Sequence, residues 1–143
     1  MKKKKGLRFL TLGLIAFALV LSGCNSKEKE VGKAQEEYTK VQEEVVQNAD
    51  DPMAKKVDFA ELDSINPDVI GWIYIPNTSI DYPIMQSEDD EKYLTTTLRG
   101  ETNETGSIYT EKYNARDFSD PVTIMYGHTV FSDDKSYDAM FSD

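Results

Sequence analysis

At 143 residues and a formal net charge of −10, the chain has room for one domain with a modest core. Five of its basic residues and none of its acidic ones fall in 1–23, so eleven basic face twenty-six acidic residues beyond them, a net of −15. That balance argues against a nucleic-acid partner, whose phosphates need clustered Lys and Arg, and suits a soluble domain held off an anionic membrane. The single cysteine, Cys24, permits no intrachain disulfide. Zinc-type Cys/His spacing and a glycine-rich phosphate loop are both missing, and neither metal nor cofactor is expected.

Residues 1–23 begin with Lys2, Lys3, Lys4, Lys5 and Arg8, continue through an apolar stretch from Phe9 to Leu21, and end at Leu21-Ser22-Gly23-Cys24. A basic start, a short apolar run and small residues before the cut describe a secretory signal peptide, and the run is short of the roughly 20 residues a spanning helix needs. Leu21-Ser22-Gly23-Cys24 resembles a bacterial lipobox, which would make Cys24 the lipid-attachment residue. The alternative is an uncleaved N-terminal anchor that ends in a cysteine.

Residues 24–57 are expected to be a polar helical spacer. Val31, Ala34, Tyr38, Val41 and Val45 recur in steps of three and four, a narrow stripe on one side of a charged helix. A solvated helix lifting the domain above the bilayer is the expectation, with a coiled-coil contact as its competitor. Asn48, Asp50, Asp51 and Pro52 break it. Asp58-Phe59-Ala60-Glu61 then has the spacing of a capping box for a short helix through Leu62, and the folded domain is expected over 58–143.

Segments rich in Ile, Val, Tyr and Thr follow at Val69–Ile75, Ile80–Gln86, Gly106–Thr110 and Val122–Tyr126, the last a buried-type strand that leads to Gly127 and His128. Asn66-Pro67-Asp68, Pro76-Asn77-Thr78 and Gly100 to Gly106 punctuate them, as in an antiparallel β fold. Along Gly71-Trp72-Ile73-Tyr74-Ile75 both alternating sets are apolar or aromatic, so both faces should be partly covered, as in a closed barrel.

Four segments carry a family resemblance in their order and spacing: Ile65-Asn66-Pro67-Asp68-Val69-Ile70-Gly71-Trp72-Ile73-Tyr74-Ile75-Pro76, Ile80-Asp81-Tyr82-Pro83-Ile84-Met85-Gln86, Gly106-Ser107-Ile108-Tyr109 and Thr123-Ile124-Met125-Tyr126-Gly127-His128. From about Phe59 to Asp143 the chain resembles the first part of a class B sortase. The resemblance implies a mainly β fold, an antiparallel sortase-type β-barrel, incomplete here, preceded by N-terminal helices. It also implies a cysteine transpeptidase acting on a sorting-signal peptide and a peptidoglycan or pilin amine acceptor. His128, the only histidine, matches the catalytic histidine, a general acid and base that stands beside the nucleophilic cysteine. The family's cysteine and arginine lie on later strands, so the chain as given is expected to be inactive. Cys24, before the spacer, is not that thiol.

Other charged residues receive plainer readings. Arg99 is expected on a solvated face near Glu101, and Arg116 in a local pair with Asp117 or Asp120. The run Glu88-Asp89-Asp90-Glu91 lacks the alternating pattern of a calcium loop and reads as a solvated loop, as does Asp133-Asp134. Ser136 is a candidate N-cap for a helix through Phe141. Thr129 and Thr110-Glu111-Lys112-Tyr113 depart from common class B residues, which leaves the sorting-signal preference open. The competing reading is a non-enzymatic surface lipoprotein that uses a partial sortase fold as a binding module.

Overall fold

The computed structural model describes residues 24–48, 51, 54–132 and 135–137, with side chains over 29–48, 51 and 54–129. The expected signal peptide and lipobox at 1–23, the Cys24 side chain, Asp133-Asp134 and residues 138–143 lie outside this set. Among the described residues no helix is long and apolar enough to cross a membrane.

The first element, α1 (Cys24–Val45), carries the apolar stripe. That stripe is buried: Val31, Ala34, Tyr38, Val41 and Val45 are each under 7% exposed, and all but Val31 belong to the main core cluster. The solvated spacer is therefore corrected. Burying a Val or Leu side chain gains about 1.5–3 kcal/mol, and the stripe finds that gain against Leu62, Ile84, Met85, Tyr93, Leu98 and Ile108. The Tyr38 ring meets Tyr82 edge to face at 5.4 Å. Polar residues beside the stripe add ties: Gln42 Nε2 donates to the Asp81 carbonyl at 2.6 Å, and Glu37 accepts from Thr97 Oγ1 and the Arg99 amide.

Two short strands, β1 (Val46–Gln47) and β2 (Lys56–Val57), pair antiparallel after the helix. Only the N-cap half of the expected capping box forms, because the Asp58 amide donates to the Val45 carbonyl at 2.8 Å. Asp58 Oδ1 accepts from the Ala60 and Glu61 amides and starts α2 (Phe59–Ile65), which buries Leu62 and runs one turn beyond the expected end.

The main sheet has four strands in the order β3 (Val69–Tyr74), β4 (Asp81–Met85), β5 (Ile108–Thr110) and β6 (Met125–Tyr126). β3 and β4 form an antiparallel hairpin with Tyr74 opposite Asp81 and a register shift between Val69 and Gly71. β4 and β5 run parallel, Ile84 beside Ile108, and β6 returns antiparallel with Tyr109 opposite Tyr126. Pro83 is tolerated in this inner strand because the β5 pairing begins only at Ile84, so Pro83 has one strand neighbour. Both faces of β3 are covered, as the sequence suggested. Phe118 lies over Gly71, where a Cβ would stand 3.0 Å from its ring, and Lys55 Nζ sits 4.0 Å from the Tyr74 ring centroid. The sheet does not close into a barrel among the described residues.

Two expectations near the end are corrected. Val122 to Tyr126 was expected to be a buried strand, but only Met125 and Tyr126 are strand, and Val122, Ile124, Met125 and Tyr126 are 70%, 44%, 39% and 39% exposed. Among the described residues β6 has a partner on one side alone, β5, which leaves the other side of the run without a strand neighbour there. Ser136 caps no helix, because β7 (Val130–Ser132) and β8 (Lys135–Tyr137) make a two-stranded hairpin with Phe131 opposite Ser136.

The core position of α1 is measurable. Val41→Ala should lower stability in urea by at least about 1 kcal/mol, while Glu43→Ala, on the exposed face, should stay within about 0.5 kcal/mol. Equal effects from the two changes would mean that α1 stands apart from the domain.

Candidate active site around His128

Three local devices fix the position of His128. β6 is held to β5 by ladder pairing and by stacking of Tyr126 on Tyr109, ring centroids 5.3 Å apart. The Tyr126 hydroxyl donates to Glu111 Oε1 at 2.6 Å, which fixes the strand two residues before the histidine. His128 itself is half-buried, and its Nδ1 lies 2.8 Å from the Glu104 carbonyl oxygen. A carbonyl can only accept, so Nδ1 carries the proton, and Nε2 is left as the nitrogen that can take up or deliver one.

Glu104 sits in a loop built to hold that carbonyl. The Asn103 side chain accepts from the Thr105 amide at 2.9 Å, and the Gly106 amide donates to the Asn103 carbonyl at 3.1 Å. Gly106 has φ +62, and a Cβ there would collide with the Tyr93 and Leu94 carbonyls, so only glycine fits. The Ser107 amide donates to the Tyr93 carbonyl, closing the turn against the short 3-10 helix Lys92–Leu94.

The loop also meets α1. Asn103 Nδ2 donates to the Glu30 carbonyl at 2.8 Å. The Tyr38 hydroxyl lies 2.8 Å from Ser107 Oγ and 3.2 Å from the Gly106 carbonyl. Ser107 Oγ donates its own proton to the Thr96 carbonyl at 2.8 Å, so Tyr38 is the donor in their contact. Burial pushes the Tyr38 phenol well above its ordinary range, which keeps it a donor at all working pH values.

A second polar cluster braces the other end of the sheet. Asp68 Oδ2 accepts from Lys92 Nζ at 2.6 Å and from the Tyr93 hydroxyl at 2.8 Å. Arg116 does not pair with Asp117 or Asp120 as expected. It donates to the Pro67 carbonyl at 3.0 Å and the Gln86 carbonyl at 3.3 Å, while Asp120 is occupied by Asn114 Nδ2 and the Ala115 amide. Arg99 pairs with Glu44 of α1 at 2.6 Å rather than lying near Glu101 alone. The acidic run is tied as a loop: Asp89 Oδ1 accepts from the Glu91 amide and Asp90 Oδ1 from the Lys112 amide. Among the described residues no group of three His, Cys, Asp or Glu is arranged to hold a metal.

Partial burial alone would raise the Asp68 pKa, but the hydrogen bonds from Lys92 and Tyr93 and the charges of Lys92 and Arg116 hold it below the usual carboxylate range. A depressed folded-state value stabilises the fold above the unfolded pKa of about 4 and loses that contribution as pH falls through the folded value. The group is partly exposed, so the effect is modest. Urea midpoints measured from pH 6 to pH 2 should fall less steeply for Asp68→Asn than for the wild type, and parallel curves would refute the ion-pair account.

No family profile matches the chain. Sortase B of Listeria monocytogenes is 38% identical over 85 residues, 56% of this chain and 35% of the relative. Sortase B of Staphylococcus aureus is 34% identical over 82 residues, 57% of this chain and 33% of the relative. The crystal structure of sortase B from B. anthracis superposes with a TM-score of 0.60 at 29% identity, covering 70% of this chain and 48% of that one. The chain thus spans about a third of the length of the curated relatives it matches. Over that part it is similar to the class B sortases, the family that its motifs resemble.

Proposed function

We propose that the chain is the N-terminal part of an exported class B sortase, a cysteine transpeptidase with His128 as its general acid and base. The observation that carries this reading is the contact of His128 Nδ1 with the Glu104 carbonyl, which fixes the tautomer and frees Nε2 for proton transfer. The nucleophilic cysteine and the arginine would come from strands outside these 143 residues. The exposed apolar run Val122, Ile124, Met125 and Tyr126 supports this, because further strands of the same barrel would cover it.

In this mechanism a thiolate attacks the scissile carbonyl of a sorting-signal peptide. The leaving amine needs a proton, or the tetrahedral intermediate collapses back to reactants. The His128 imidazolium supplies it from Nε2, and the thioester remains. The amine acceptor, on peptidoglycan or pilin, then gives its proton to Nε2 as it attacks the thioester, whose C–S bond breaks and returns the thiolate. The arginine steadies the oxyanion. No cofactor is required. The 143-residue chain, whose one cysteine is Cys24, should not turn over a peptide by itself.

In a chain completed with the C-terminal half of a class B relative, His128→Ala should reduce turnover of a fluorogenic sorting peptide by about a hundredfold or more with the fold intact. A folded mutant with normal turnover would make His128 a structural residue. Cys24 would hold the protein at the outer face of the membrane as a diacylglycerol thioether, each buried methylene adding about 0.8 kcal/mol. Cys24→Ala should abolish labelling by a fatty-acid analogue and leave an uncleaved precursor. Equal labelling of both forms would sink the lipobox reading.

A further inference from the structure

We propose that helix α1 sets the tautomer of His128 through the loop 103–107, with Asn103 and Tyr38 as positioning residues. The proposal rests on the reading of His128 as a proton carrier and adds what holds it ready. The argument turns on one peptide plane. The Glu104 carbonyl and the Thr105 amide are the two ends of the same planar unit, so fixing one fixes the other. The Glu104 carbonyl accepts from His128 Nδ1 at 2.8 Å, and the Thr105 amide donates to Asn103 Oδ1 at 2.9 Å. The other end of the Asn103 amide, Nδ2, donates to the Glu30 carbonyl of α1 at 2.8 Å. A continuous path of hydrogen bonds therefore runs from the backbone of α1 through one side chain and one peptide plane to the imidazole.

Tyr38 holds the far side of the same loop. Its hydroxyl proton is shared between Ser107 Oγ and the Gly106 carbonyl, and Gly106 admits no side chain that could brace the turn in another way. Asn103, Thr105, Gly106 and Ser107 are buried while Glu104 is exposed, so the loop presents its carbonyl from a rigid base. Without those ties the peptide plane is free to rotate, and a half-buried imidazole in reach of water has no reason to keep its proton on Nδ1.

His128 is the only histidine, so its ring nitrogens give unambiguous signals in a two-bond proton–nitrogen correlation spectrum of the labelled chain. At a pH where the ring is neutral, the wild type should show a protonated Nδ1 and an unprotonated Nε2. Asn103→Ala should move the ratio toward Nε2–H by roughly two- to tenfold, the range set by one modest hydrogen bond, and Tyr38→Phe should move it the same way. Asp58→Ala, which removes the remote α2 cap, should leave it unchanged. A wild type that is mainly Nε2–H would overturn the proposal. An unchanged ratio in the folded variants, or an equal change in Asp58→Ala, would overturn it too. If Asn103→Ala does not fold, the isosteric Tyr38→Phe decides. A failure of the catalytic reading would appear in turnover of the completed enzyme and not in this ratio, so the two can be told apart.

Discussion

The buried Tyr38 hydroxyl is the constraint around which the structure is arranged. A phenol inside the core must give its proton to something or lose about 1–3 kcal/mol, and Tyr38 does not give it to its own helix. The acceptor comes instead from Ser107 and Gly106, almost seventy residues later. Satisfying it fixes the helix in register and places the loop before β5. β5 in turn fixes β6, and β6 ends one residue short of Gly127-His128. A helix that looks like a stalk in the sequence is thus one wall of the domain and the foundation of its site.

The polar network around this wall is distributed by depth. Contacts of the helix with the rest of the domain are mostly to backbone carbonyls and amides, through Gln42, Asn103 and Glu37. They define position without placing paired charges in the core, where desolvation would offset much of the gain. The ion pairs of Lys40 with Glu36, Lys92 with Asp68, Arg99 with Glu44 and Lys112 with Asp90 stay where water screens them. Lys55 is the exception. Its ammonium is largely buried, and it is held by the Asp81 carboxylate, which also accepts from Trp72 Nε1, and by the Tyr74 ring.

Much of the scaffold was legible from residues alone. Asp58 announced its helix because a side-chain acceptor before an apolar turn has one common use, and Pro76-Asn77-Thr78 marked a hairpin that forms with Asn77 at positive φ. The stripe on α1 was visible too, but its destination was not, because periodicity reveals an apolar face and says nothing of what covers it. Arg116 was misjudged for a related reason. Acidic neighbours in sequence were on view, whereas the Pro67 and Gln86 carbonyls that take its protons carry no side-chain signature. The Glu104 carbonyl escaped notice in the same way, since every residue owns one. Val122 to Tyr126 looked buried because its composition fits a covered strand, and composition cannot report that one flank lacks a neighbour.

The separation between α1 and its partners bears on how the chain acquires its shape. Contacts spanning 68 to 73 residues and a parallel pairing reached only after a long crossover put much of the core at high contact order, which slows folding. A chain emerging N-terminus first exposes the Val31 to Val45 stripe well before Leu98, Gly106 or Ile108 exists to receive it. During that interval the helix has an apolar seam, no lid and a ready tendency to associate with its own kind. Along the seam the acidic residues Glu36, Glu37, Glu43 and Glu44 outnumber the interspersed Lys33 and Lys40, so two such helices carry a net repulsion where their seams would meet. Acidity on this helix therefore protects the waiting chain as well as decorating the finished one.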